Sequence, residues 1–201
     1  MQNPQEYPEN LSLPADYKTL GGRLIRSGLG LLSIQGIVKV VTEVFLSPRR
    51  EILLSDWKSW VLEKVREGGF WGFSKSYWTR EALFLKRDPL GEGHTYLVKI
   101  PEHHDPTNPL STIWVEGSNF GYFSRRGFLG TEASTNIFSS GLSEKLVNVA
   151  EQEGLDFLVL GHRVTSANPV GRVCSLYFDK DCINIDLRDS GTSHRYALGT
   201  K

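Results

Sequence analysis

Cysteine is almost missing from this chain. Cys174 and Cys182 are the only two in 201 residues, which excludes a disulfide framework and the repeated thiol spacing of a zinc-binding module. Net charge is missing as well, because 23 Lys and Arg balance 23 Asp and Glu. No global field therefore draws the protein to nucleic acid or to an acidic membrane, and any polyanion site has to be a local patch. Residues Met1 to Asn10 lack the basic start, apolar centre and small-residue cleavage site of a secretory leader. The expected compartment is therefore cytoplasmic. Internal repeats and low-complexity tracts are also lacking.

Long uninterrupted apolar runs are scarce. The best candidate, Leu24 to Leu46, contains Arg26, Gln35, Lys39 and Glu43. A charge at mid-bilayer costs about 2.5 to 3.5 kcal/mol on insertion scales, so a membrane span is rejected. At helical spacing Arg26, Gly30, Ser33, Gly36, Lys39 and Glu43 form a narrow polar stripe on an otherwise apolar cylinder, which describes a buried helix.

What is present suffices for one core: 39% of residues are hydrophobic and 11% aromatic, enough for a single domain by surface-to-volume scaling. Residues 1–14 hold three prolines among Gln, Asn and Glu and read as a flexible N-terminal arm. Residues 15–201 then form the domain. Ser47-Pro48 marks a second helix start, with Leu53, Leu54, Trp57, Trp60, Val61 and Val65 on one face and Gly68-Gly69 as its stop. From Phe70 onward short apolar runs alternate with turn residues, as in strands. Strands are expected at 82–86, 95–100 and 112–116, and a further helix near 141–154.

The last quarter reads as a meander of strands at 157–164, 172–178, 182–187 and 194–198. With Phe178 opposite Cys182, Leu176 meets Asn184 and Cys174 meets Asp186, which puts Val173, Tyr177, Ile183, Ile185 and Leu187 on the core face. In that register the two cysteines do not oppose each other, and no disulfide is expected. Two N-terminal helices, a mainly antiparallel sheet and one later helix make the class α+β. The helix at 142–153 and the run Gly154 to Gly161 resemble one helix-to-strand unit of nucleotide-binding α/β proteins such as the universal stress family. The preceding chain has no alternating βα units, so the class stays α+β.

Three constellations bear on chemistry. His103, His104 and Asp105, with His162 as a distant fourth group, supply imidazole and carboxylate ligands for zinc or another divalent metal. The plainer reading is a solvated loop between Pro101 and Pro106. Cys174 or Cys182 with His162 or His194, oriented by Asp186 or Asp189, has the residue types of a nucleophile and base, but its spacing matches no catalytic signature. The third constellation interleaves aromatic and basic residues: Tyr122, Phe123, Arg125, Arg126 and Phe128, preceded by a similar run from Phe70 to Arg80. Exposed rings stack on unpaired bases while arginines neutralise phosphates, and the stretch resembles the aromatic strand of RNA-recognition domains over residues 120–128. Without a partner, alternate rings would instead pack inward. The five tryptophans and the glycine-rich apolar helix also suit self-association.

Taken together, these features point to a non-catalytic binding or assembly protein without a cofactor. It would engage a protein partner, a second copy or single-stranded nucleic acid through Tyr122 to Phe128. The alternative is a metal-dependent hydrolase built on His103, His104, Asp105 and His162.

Overall fold

The computed structural model describes residues 13–53, 55–78, 82–87, 113–116, 121–161, 170–189 and 191–200. Asp16 opens α1 (Tyr17–Arg26) by accepting the Thr19 amide, as an N-cap does for one of the donors a first turn leaves unpaired. The chain then turns at Gly28, whose φ of 71° is the left-handed conformation glycine tolerates. It forms the short strand β1 (Gly30–Leu31) and re-enters a helix, α2 (Ile34–Phe45), capped by the Ser33 side chain on the Gly36 amide. The helix expected through 24–46 is thus two helices. The apolar pattern runs through both, but Gly28 and the capping residue Ser33 break the backbone between them. Within α2 the expected polar stripe holds, with Lys39 exposed and Glu43 half-buried.

The second expected helix is also split, into α3 (Arg49–Leu53) and α4 (Asp56–Glu67), with Ser55 capping α4 at the Lys58 amide. Ser47 does not cap α3. Its hydroxyl donates back to the Glu43 carbonyl of α2.

A mixed sheet carries the rest: β2 (Phe70–Trp78), β3 (Ala82–Arg87), β4 (Ile113–Glu116), β5 (Gly121–Ser124), β6 (Phe157–Leu160), β7 (Val170–Phe178) and β8 (Cys182–Asp189). Their spatial order is β4-β3-β2-β7-β8-β6-β5, and β9 (Tyr196–Ala197) lies parallel to the start of β2. A separate two-stranded pair joins β1 to β10 (Gly199–Thr200). Between β5 and β6 come α5 (Arg125–Leu129), α6 (Glu132–Phe138) and α7 (Ser140–Gln152). The class is α+β, and α7 falls where the later helix was expected. The strand expected at 95–100 lies outside the described residues.

The C-terminal quarter is not a meander. β6 runs parallel to β8, and β9 leaves this group to pair with β2. The β7–β8 register is one residue away from the expected one, pairing Phe178 with Ile183, Tyr177 with Asn184 and Leu176 with Ile185. A one-residue slip exchanges the faces of a strand. Cys174, Leu176 and Phe178 therefore join Ile183 and Ile185 in the core, while Tyr177 points to the other face. The expected core placement of Tyr177 is corrected by the Asp179–Asp181 turn: Asp179 donates its amide to the Cys182 carbonyl, which closes the turn one residue differently.

Two apolar layers sandwich the sheet. The larger packs α2, α4 and α7 against Phe70, Leu176, Ile183 and Ile185, with Phe45 stacked on Phe178 at 5.0 Å. The smaller lies on the opposite face, where Tyr17, Leu20 and Leu24 of α1 cover Trp71, Phe73 and Val173. Trp71 donates its indole N–H to the Ala15 carbonyl at 2.9 Å, satisfying the one polar atom that burial would strand. A bulge in β2 between Gly72 and Lys75 accommodates α2, and the freed Phe73 amide donates to the Leu32 carbonyl.

Candidate functional site

The small layer covers only part of the outer sheet face. Cross-strand partners point to the same side, so the registers define a row from β5 to β7: Tyr122 beside Val159, Val159 beside Asn184, Asn184 beside Tyr177. A second row runs from Ser124 through Phe157 to Cys182. The alternation of β6 explains why Phe157 and Val159 face outward while Leu158 and Leu160 are buried. Tyr122 is 67% and Phe157 43% exposed. They sit diagonally across neighbouring strands, within reach for aromatic side chains.

The five residues of the aromatic and basic stretch are divided by the fold. Gly121 to Ser124 is strand, and Ser124 caps α5 by accepting the Gly127 amide, so a helix begins at Arg125 and the strand alternation ends. Tyr122 and Arg126 are exposed, and Arg125 and Phe123 are half-buried. Phe128 is 0% exposed and packs between Phe123 and Phe138, with ring centroids 6.3 and 6.5 Å away. The surface thus offers one ring and two cations from this stretch, and Phe157 supplies the second ring. In the sequence Phe157 carries no mark of exposure, because Phe157-Leu-Val-Leu160 has no polar residue to distinguish its faces.

At the β7 side of the row, the Arg195 guanidinium lies over the rings of Tyr177 at 4.5 Å and Trp71 at 5.4 Å and donates to the Gly68 carbonyl at 2.8 Å. Burial, then the nearby Asp186 charge, raises the Tyr177 phenol above its ordinary range, with Arg195 opposing. Asn184 donates to the Cys182 sulfur at 3.1 Å. Burial is the main cause that raises the Cys182 thiol, and Asp179 and Asp181 add to it, although the Asn184 contact pulls it down. Cys174 is fully buried in the core layer, and burial followed by Asp186 holds its thiol well above the usual range. Nucleophilic cysteines need the opposite shift. His194 is exposed while Cys174 is enclosed, so that pair does not form a nucleophile and base.

His103, His104, Asp105 and His162 lie outside the described residues. Among the described residues no group of three or more His, Cys, Asp or Glu is placed to hold a metal, and no helix is long and apolar enough to cross a membrane.

The end of this face carries both signs of charge. Arg125 and Arg126 follow Ser124 directly. On the neighbouring strands Asp156 precedes Phe157, and Asp179, Lys180 and Asp181 form the β7–β8 turn. Asp181 ties these strands together, its carbonyl accepting the amides of Asp156 and Phe157. The three aspartates are exposed. Among the described residues none of these six charged groups forms an ion pair.

No protein-family model and no curated protein matches this sequence. One solved structure does, from work on the accommodation of massive sequence variation in Nanoarchaeota by the C-type lectin fold. It superposes with a TM-score of 0.59 at 10% identity, over 92% of this chain and 92% of that one. At that identity the likeness is one of fold, and it shows the α+β arrangement of this chain to be similar to a C-type lectin fold.

Proposed function

We propose that this chain is a non-catalytic binding protein that engages a protein partner through the outer face at β5 and β6. The observation that carries the reading is the pair Tyr122 and Phe157, two large rings exposed side by side on a sheet face whose other end is sealed by α1. Aromatic residues in a rigid setting bury much area at low entropic cost, which is why they anchor interfaces. The solved neighbour's fold is described as one that accommodates massive sequence variation, and a scaffold tolerant of surface change suits recognition better than fixed catalytic geometry.

Charge favours protein over nucleic acid here. Arg125, Arg126 and Lys180 are matched by Asp156, Asp179 and Asp181 at the same end, and a phosphate chain crossing it would meet as much repulsion as attraction. The test is a photo-crosslinking phenylalanine analogue placed at Tyr122, with exposed Glu144 on α7 as the control position. Light-dependent, protease-sensitive adducts are expected at 122 and not at 144. An adduct removed by nuclease would move the reading to single-stranded nucleic acid, and no adduct at 122 would remove it altogether.

A further inference from the structure

The rim at the end of β5 and β6 has a pattern that narrows the partner, on the premise that this face is a protein-binding surface. Basic residues occupy the β5 side, Arg125 and Arg126. Acidic residues predominate on the side of β6 and β8, where Asp156, Asp179 and Asp181 outnumber the exposed Lys180 of the same turn. β5 and β6 are neighbours in register, Ser124 opposite Phe157, so the two signs lie one strand spacing apart, about 4.8 Å across the sheet. The basic pair is held by the Ser124 cap of α5, and Asp156 and Asp181 by the backbone bonds from Asp156 and Phe157 to the Asp181 carbonyl. The pattern is presented on fixed backbone, and nothing among the described residues neutralises it from within the chain.

A two-fold axis normal to the sheet, set midway between β5 and β6 and just beyond their ends, exchanges the two sides of such a rim. It places Arg125 and Arg126 of one copy against Asp156 and Asp181 of the other, twice over. An isologous interface requires a patch that is complementary to itself, and adjacent blocks of opposite sign satisfy that condition. A partner of different sequence would need the mirror-ordered pattern of its own, whereas a second copy carries it already. We propose that this rim is a two-fold contact for a second copy of the chain. Tyr122, Phe157 and the exposed Leu129 supply the apolar margin.

Sedimentation equilibrium of the full chain at several concentrations tests it. Association is expected at about 50 mM salt and is expected to weaken at about 500 mM, where the screening length shrinks. Two variants, R125E/R126E and D156K/D181K, each set like charges against each other across the axis. Each should raise the dimer dissociation constant by at least about tenfold. Mixed in equal amounts, they should associate as a heterodimer at close to wild-type affinity, because both contacts are then opposite in sign. Arg126, Asp156 and Asp181 are exposed and Arg125 half-buried, and far-ultraviolet dichroism checks that the variants fold. If the wild type stays monomeric at about 100 μM, or if it associates but the mixture gives no rescue, the second-copy contact is overturned. The Tyr122 crosslink separates that failure from failure of the underlying reading. Adducts of other than twice the chain mass would keep the binding face and reject the second copy.

Discussion

At Gly72 the absence of a side chain is what lets α2 reach the sheet. A Cβ built there would stand 2.6 Å from the Ile34 Cα and 2.8 Å from its Cβ, closer than backbone and a branched side chain can yield to. The same contact is fastened by the Ile34 amide donating to the Ser74 hydroxyl at 3.1 Å. Gly72→Ala is therefore expected to push α2 off β2 and to destabilise the fold by about 1 to 3 kcal/mol, the usual range for overpacking a filled core. A lower urea midpoint with an unchanged slope would show it. An unchanged midpoint would mean that α2 is not seated there. Little in the sequence marks this glycine, because Phe70-Trp-Gly-Phe73 reads as strand with or without it.

Helix α6 ends and α7 begins at a single residue, and that junction carries strain. Ser139 has φ 64° and ψ 155°, a region that is essentially glycine's own and costs a side chain about 1 to 3 kcal/mol. Its amide donates to the Thr135 carbonyl and its carbonyl accepts the Ser143 amide, so both helices hold it in place. Its side chain makes no cap bond in return. Ser139→Gly is expected to raise stability by about 1 kcal/mol after the added freedom of the unfolded chain is counted, read as a higher urea midpoint. A lower midpoint would show that the strain is absent. The starts of α2 and α4 are of another kind. There Ser33 and Ser55 cap helices that the apolar periodicity runs straight through, so periodicity alone merges what the caps divide.

Among the described residues, several groups that ionise at alkaline pH are raised chiefly by burial. Cys174 is raised by burial and then by Asp186; Tyr177 and Tyr196 are raised chiefly by burial. The sign follows from linkage: the native state retains protons that the unfolded chain releases, so unfolding gains on folding as pH rises. Stability from the enclosed thiol is complete below the ordinary thiol range, about 8.5, and is lost above it. The urea midpoint should therefore hold from neutrality to about pH 8 and fall beyond. In Cys174→Ala the fall should be shallower, although the midpoint at neutral pH is lower because the core loses a sulfur. An alkaline fall as steep in the variant as in the wild type would place its cause elsewhere.

The sequence by itself determined the class, the absence of a membrane helix from the described chain, the general placement of the helices at 34–45, 56–67 and 140–152 and of the strands at 82–87, 113–116, 157–160, 170–178 and 182–189. These follow from local periods of burial, which a chain displays whatever its topology. Tertiary structure decided what local periods cannot carry. The β7–β8 turn set a register one residue from the expected one, and that exchange of faces put Cys174 in the core and Tyr177 outside it. Pairing of β6 parallel to β8 and antiparallel to β5 brought Phe157 beside Tyr122 across 35 positions of sequence. The start of α5 at Arg125 sent Phe128 inward and left Arg126 at the surface. A binding face is a juxtaposition of residues remote in the chain, so its ingredients were legible in the sequence while its composition was settled by the order of strands.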